Sequence, residues 1–113
     1  MSASRPAWPR PPAALPHDRL HLPPEGGRVA VAGLVTVRQR PGTAKGVVFI
    51  TLEDETGTAN VVVWQKMVER FRRAVVAGRL LRVTGRVQRA SGVAHVVADR
   101  IEDLSYLLDS LAA

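Results

Sequence analysis

Three cationic side chains surround one short, glycine-containing loop. Arg38 and Arg40 precede the loop PGTAKG, which spans residues 41–46, and Lys45 lies inside it. Guanidinium and ammonium groups bind anionic oxygens, and Gly42 and Gly46 would let a ligand's backbone come close. Three cations around one loop need an anionic partner to be useful. We therefore predict phosphate contacts at this loop.

Flat and polar side chains follow in the next two apolar runs. Phe49 and Trp64 are candidates for stacking on bases, while Thr51 and Asn60 can hydrogen-bond base edges or sugar. Cations along phosphates and flat rings under bases are what binding of a single nucleic-acid strand requires. Further along the chain, the residues expected to close the far side of the same groove are Arg86, Arg89 and His95.

Each of these residues also has a purely structural interpretation. Phe49 belongs to the core if the inward and outward positions of its strand are exchanged. Trp64 can fasten the start of the following helix to the rest of the fold, and His95 can be an ordinary strand residue. The turn Asp54–Gly57 is expected to be a solvated cap rather than a carboxylate metal site.

Composition limits the other possibilities. The 113 residues suit one small domain. The net charge of +6 comes mostly from arginine, because the chain has only two lysines. Arginine enrichment favours a nucleic-acid partner, although a GC-rich genome produces the same composition. The chain has no cysteine, no apolar run long enough for a membrane span, no nucleophile–base pair and no phosphate-binding P-loop. We expect a cytoplasmic, non-enzymatic protein without membrane contact, metal, cofactor or small-molecule substrate.

The apolar pattern predicts where these residues are placed. Seven of the eight prolines fall in residues 1–28, which predicts an extended, Pro-rich arm or linker. Residues 29–40 form a long strand with Val29, Val31, Val35 and Val37 inward and a bend at Gly33. The remaining elements are a hairpin of strands 47–53 and 58–64, a helix over 65–77, a second hairpin of strands 79–89 and 93–101 with a possible bend at Gly85, and a short C-terminal helix over 103–112.

This order of elements is that of a five-stranded Greek-key barrel, the OB-fold, which is all-β with one internal helix. We therefore divide the chain into an arm (1–28), the barrel domain (29–102) and the C-terminal helix (103–113). Within the hairpin, residues 48, 50 and 52 and residues 59, 61 and 63 should face inward. Residues 47, 49 and 51 and residues 60, 62 and 64 should face outward.

The sequence also resembles a known family. The run VAGLVTVRQRPGTAKGVVFITLEDETGTANVVVW, with LLRVTGRVQR and AHVVADRIEDLS, is similar to the C-terminal OB-fold segment of bacterial error-prone DNA polymerases of the DnaE type, relatives of the DNA polymerase III alpha subunit. The resemblance covers about residues 28–106. It implies DNA replication and damage-tolerant synthesis, with single-stranded template as ligand. The positions that match the family signature are Arg38, Gln39, Arg40, Thr43, Lys45, Asn60, Trp64 and His95.

The resemblance also has limits. The family continues into a basic tail where this chain ends in LLDSLAA, and 113 residues cannot hold a polymerase's catalytic domains. The leading hypothesis is a non-catalytic module that binds single-stranded DNA, either as a fragment or as a free-standing protein. The alternative is an interaction module that docks on polymerase or mutasome subunits. A third possibility is an RNA-binding OB domain of the anticodon type.

Overall fold

Five strands close into a barrel in the order β1-β2-β3-β5-β4. The structure, a computed structural model, describes residues 14–41 and 45–112, with side chains as far as Asp109. The predicted five-stranded OB barrel is confirmed. Its elements are a 3-10 helix at His17–Arg19, β1 Arg28–Gln39, β2 Val48–Asp54, β3 Gly57–Val63, α1 Gln65–Arg70, α2 Arg72–Ala77, β4 Leu80–Ala90, β5 Val93–Asp103 and α3 Tyr106–Ala112.

Strand β1 pairs with two neighbours, as a closed small barrel requires. Its first half, up to Leu34, pairs with β4, and its second half, from Leu34, pairs with β2. Gly33 lies beside this change of partner, where an added Cβ would collide with the backbone of Glu53. A bulge follows between Val35 and Val37.

The bulge corrects one prediction about β1. A strand alternates its side chains with a period of two, so one unpaired residue reverses every position after it. Val29 and Val31 face the core as expected, but Val37 is 43% exposed. The same reversal pairs Arg38 with the inward-facing Ile50 and Gln39 with the outward-facing Phe49.

The β2–β3 hairpin has the predicted alternation. Its inward positions, residues 48, 50, 52, 59, 61 and 63, are all buried, with at most 3% of each residue exposed. Val47, expected outward, is also buried.

β3 then pairs in parallel with β5 and completes the barrel. Gly85 lies at a register shift in the β4–β5 hairpin, where an added Cβ would collide with the Val97 carbonyl, so the predicted irregularity there is confirmed.

The predicted helix over 65–77 is divided in two. Phe71 has φ −117° and ψ 39°, outside the helical region, and separates α1 from α2. The guanidinium of Arg70 lies 5.6 Å from the centre of the Phe71 ring. Val68 and Val75 attach the two helices to the core. Neither glycine nor proline occurs in residues 65–77, so the sequence gives no local signal for this break.

Residues 14–27, predicted as part of an extended arm or linker, pack against the barrel. The Leu15 N–H donates to the Ala30 carbonyl at 2.7 Å, and His17 and Leu20 are buried. Prolines lack an N–H, but their carbonyls still accept hydrogen bonds, and one apolar anchor can hold such a segment. The first thirteen residues, including Trp8, lie outside the described part.

Asp54 corrects the prediction of a solvated turn. Its carboxylate is buried and accepts hydrogen bonds from the backbone N–H groups of His17, Thr56 and Gly57 and from the Thr56 hydroxyl. Burial acts to raise the pKa of this carboxyl, but the bonds from Thr56 and His17 and the nearby imidazole of His17 outweigh it. The net effect is a pKa below the ordinary value of 3.8.

Candidate nucleic-acid interface

The outer face of the barrel brings residues from four strands into one polar row. Thr51 on β2 pairs with Asn60 on β3, Asn60 lies beside His95 on β5, and His95 pairs with Gln88 on β4. Side chains of directly paired residues point to the same face of a sheet. Thr51, Asn60, His95 and Gln88 therefore form a continuous polar row across the strands.

A groove of about 580 Å³ opens on this face. Phe49 is 36% exposed and Trp64 is 55% exposed, so both rings are available to a ligand. The interpretation of Phe49 as a core residue is therefore wrong. We call this the aromatic groove; its lining residues are Lys45, Val47, Phe49, Val62, Trp64, Gln88, Ala90 and His95.

The structure brings together part of the predicted set. Lys45, Phe49, Trp64 and His95 line the aromatic groove, and Thr51 and Asn60 lie on the same face. Thr43 falls outside the described residues. Four lining residues were not predicted as site residues: Val47, Val62, Gln88 and Ala90. Strand alternation was the available signal for Val62 and Gln88, since both occupy outward positions beside predicted site residues.

The two arginines before the first loop lie apart from Lys45. Arg38 and Arg40, together with Gln39, line a different groove, bordered by α2. The bulge in β1 causes the separation, because it turns Arg38 to the side of Ile50, and the Arg38 guanidinium donates a hydrogen bond to the Gly78 carbonyl. Arg38 and Arg40 therefore line a different groove from Lys45.

Arg86 and Arg89 do not line the aromatic groove either. The Arg86 guanidinium donates to the Gly26 carbonyl at 3.2 Å. Arg89 donates to the carbonyls of Leu20, His21 and Pro23, and its backbone N–H donates to the Glu25 carboxylate. These contacts hold the N-terminal segment on the barrel. The role predicted for both at the far side of a nucleic-acid groove therefore stays a prediction.

The aromatic groove is suited to binding flat, partly polar molecules. Its walls are mainly apolar, and Lys45 supplies a cation at its edge. An ammonium group binds phosphate oxygens as a point charge, and exposed rings stack on bases. In the described ranges 14–41 and 45–112, no three His, Asp or Glu residues come together as a metal site, and no helix is long and apolar enough to cross a membrane.

Comparison with known proteins identifies the family. Residues 29–104 match the tRNA_anti-codon family model, described as an OB-fold nucleic acid binding domain. The chain belongs to this family. The matched range begins at the second residue of β1 and ends just after β5.

The relatives of this OB-fold chain include large bacterial polymerases. It is 59% identical over 111 residues to the error-prone DNA polymerase of Ruegeria pomeroyi, covering 98% of this chain and 10% of the polymerase. It is 59% identical over 97 residues to the error-prone DNA polymerase of Caulobacter vibrioides, covering 86% and 9% respectively. The predicted resemblance is confirmed. The chain spans about a tenth of the length of these relatives, and the part that matches the family model is an OB-fold segment.

A solved structure shares the architecture. The asparaginyl-tRNA synthetase of Pyrococcus horikoshii matches with a TM-score of 0.59 and 32% identity, covering 71% of this chain and 20% of the synthetase. The shared barrel supports the fold assignment from an independent comparison.

Proposed function

We propose that this chain is a non-catalytic module that binds single-stranded DNA across the aromatic groove. The observation that carries the proposal is the exposure of Phe49 and Trp64 around one groove with Lys45 at its edge, on the outer strand face of an OB barrel. The two rings would stack on successive bases, and Lys45 would contact a phosphate. Asn60, His95 and Gln88 would hydrogen-bond base edges from the polar row.

The proposed setting is DNA replication and translesion synthesis by an error-prone polymerase. The identity of 59% to a segment of such polymerases supports it. Template strands are single-stranded where a polymerase copies them, so a module with this groove would hold the template near the enzyme that this segment accompanies. The site of action would then be the bacterial cytoplasm.

The test measures binding of a fluorescein-labelled oligothymidine to the 113-residue chain by fluorescence anisotropy. The Phe49→Ala/Trp64→Ala double variant should weaken binding, because stacking contributes roughly 1–3 kcal/mol per base, or about 5- to 150-fold for each ring. Tyr106→Ala removes a ring of similar exposure on α3, away from the groove, and should leave the Kd unchanged.

Three outcomes would contradict this proposal. Equal loss of affinity in the Tyr106→Ala variant would place the DNA elsewhere. A matched oligouridine that binds more than about tenfold tighter than oligothymidine would favour an RNA ligand. Indifference to the Phe49→Ala/Trp64→Ala change would instead support the alternative proposal, docking on polymerase or mutasome subunits.

A further inference from the structure

A second groove, separate from the aromatic groove, lies between the end of β1 and helix α2. Its volume is about 390 Å³, within the range of roughly 300–1,000 Å³ over which proteins bind ligands. The side chains relevant to its chemistry are Arg38, Arg40, Arg72, Val48, Val75 and Val76. We call it the arginine groove. It shares no lining residue with the aromatic groove.

The base of the arginine groove is apolar. Val48 and Val75, which line the groove, are core residues only 3% and 1% exposed. Val76, next to them on α2, is 51% exposed. An apolar ligand side chain placed here would remove the Val76 surface from water, which is favourable in proportion to the area covered.

The rim is cationic and has few internal partners. The arginines that form ion pairs within the described residues all lie elsewhere: Arg28, Arg79, Arg82, Arg89 and Arg100. Arg40 and Arg72 have no carboxylate partner in that part of the chain, and Arg38 is held by the Gly78 carbonyl. A guanidinium carries five N–H donors, so all three retain capacity to bind carboxylate oxygens.

We propose that the arginine groove binds an acidic peptide segment of a partner protein, with apolar side chains interspersed among its carboxylates. The carboxylates would pair with the guanidinium groups in two-pronged hydrogen bonds, while the apolar side chains pack on the valines. This surface does not depend on DNA binding at the aromatic groove.

The lining favours a peptide over nucleic acid. Binding of a single nucleic-acid strand uses aromatic rings that stack on its bases, and no ring among the described residues lines the arginine groove. A phosphate backbone would satisfy the arginines but would leave the exposed surface of Val76 in water. An acidic peptide with leucine-like side chains matches both the charge and the apolar base.

The experiment uses a fluorescein-labelled synthetic peptide of alternating leucine and aspartate, titrated with the 113-residue chain by fluorescence anisotropy. We expect saturable binding that Arg72→Glu weakens at least tenfold. Arg73→Glu is the matched control, because it makes the same charge change at an exposed neighbour on α2 that does not line the groove. Arg40→Glu is a second test variant on another element and should weaken binding like Arg72→Glu.

Two further measurements complete the experiment: binding of variant peptides and binding of oligothymidine. A peptide with lysine in place of aspartate should not bind, and one with serine in place of leucine should bind more weakly. Equal effects of Arg72→Glu and Arg73→Glu on the leucine–aspartate peptide would overturn the proposal. So would a tenfold loss of oligothymidine binding in Arg72→Glu but not in Arg73→Glu, since the groove would then follow phosphates. Wild-type binding of oligothymidine tests the aromatic groove separately.

Discussion

The Asp54 carboxylate joins the N-terminal segment to the turn between β2 and β3. Its Oδ2 accepts the His17 N–H at 3.0 Å, and its Oδ1 accepts from Thr56 and Gly57. The His17 imidazole is also buried, and its Nδ1 lies 3.0 Å from the Gly57 carbonyl oxygen, to which it donates. Hydrogen bonds to a charged group are stronger than neutral ones, so this carboxylate contributes to keeping residues 14–20 on the barrel.

Asp54→Asn should lower the free energy of unfolding at pH 7 by about 1–3 kcal/mol, because the charge-assisted hydrogen bonds are lost. The folded state lowers the pKa of this carboxyl from 3.8, so its contribution is complete above about pH 5. It is lost as the pH falls through the unfolded and then the lower folded pKa. Urea unfolding from pH 7 to pH 3 should therefore show the two proteins converging at low pH.

Asp99→Asn is the matched control for this pH series. Asp99 is exposed and lies 3.8 Å from Arg28, a surface pair expected to contribute well under about 1 kcal/mol. A constant difference between wild type and Asp54→Asn at every pH would contradict the role given to the Asp54 charge.

Residue types and strand alternation predicted four residues of the aromatic groove: Lys45, Phe49, Trp64 and His95. Residue type and strand alternation did not predict where the arginine side chains lie. The guanidiniums of Arg38, Arg86 and Arg89 each bind backbone carbonyls distant in sequence. These carbonyls belong to residue 78, to residue 26, and to residues 20, 21 and 23, respectively. A long side chain reaches whatever acceptor the fold places nearby, and the positions of those carbonyls follow from tertiary structure. A cluster of cations in sequence therefore did not become one site.

At the scale of elements, the bulge in β1 has the largest consequence for the site. Without the shift between Val35 and Val37, Arg38 would share the outer face with Phe49. The extra residue turns Val37 and Gln39 outward instead and directs Arg38 toward α2. Bulges next to sites commonly redirect side chains in this way. The sequence of this strand has apolar residues on both sides of the bulge and so does not reveal it.

Two glycines, by contrast, were visible as irregular points in their strands. Gly33 lies where β1 changes partner, and Gly85 lies at the register shift between β4 and β5. At both positions, an added Cβ would meet backbone atoms of the neighbouring strand. Backbone in a sheet cannot move aside as a flexible side chain does. Glycine is therefore required at both positions, because the neighbouring strand leaves no space for a Cβ atom.

Gly85→Ala should lower the free energy of unfolding by about 1–3 kcal/mol, because the methyl group forces β4 and β5 apart near Val97. Thermal or urea unfolding followed by circular dichroism measures the change. Gly92→Asn is the control, since Gly92 has positive φ, open space around it and a conformation that asparagine tolerates. Equal stability of Gly85→Ala and wild type would contradict the close packing of the two strands.

At the scale of the whole molecule, the barrel presents two differently equipped grooves. The aromatic groove is lined by Phe49, Trp64 and one lysine. The arginine groove is lined by three arginines and three valines. Element order was sufficient to predict the barrel, since few folds place a helix between the third and fourth of five strands. The division of the charge between two surfaces depends on side-chain direction and emerged only in three dimensions.

The net charge of +6 and the lysine at the aromatic groove predict salt-sensitive DNA binding. Each neutralised phosphate of a single strand contributes about −0.7 to the slope of log K against log salt. With the one phosphate contact assigned to Lys45, the Kd for oligothymidine should rise roughly two- to threefold between about 50 and 200 mM salt. Anisotropy titrations across this range measure it, and an affinity indifferent to salt would exclude phosphate contacts.

The most direct test of the central claim is an NMR titration of the isotope-labelled chain with unlabelled oligothymidine. We expect the largest shifts at the Trp64 indole N–H and at the backbone amides of Lys45, Phe49 and His95, which line the aromatic groove. The amides of Arg40 and Arg72 should change little. Shifts concentrated at the arginine groove, or no shifts at saturating oligonucleotide, would contradict the assignment of the aromatic groove as the DNA-binding site.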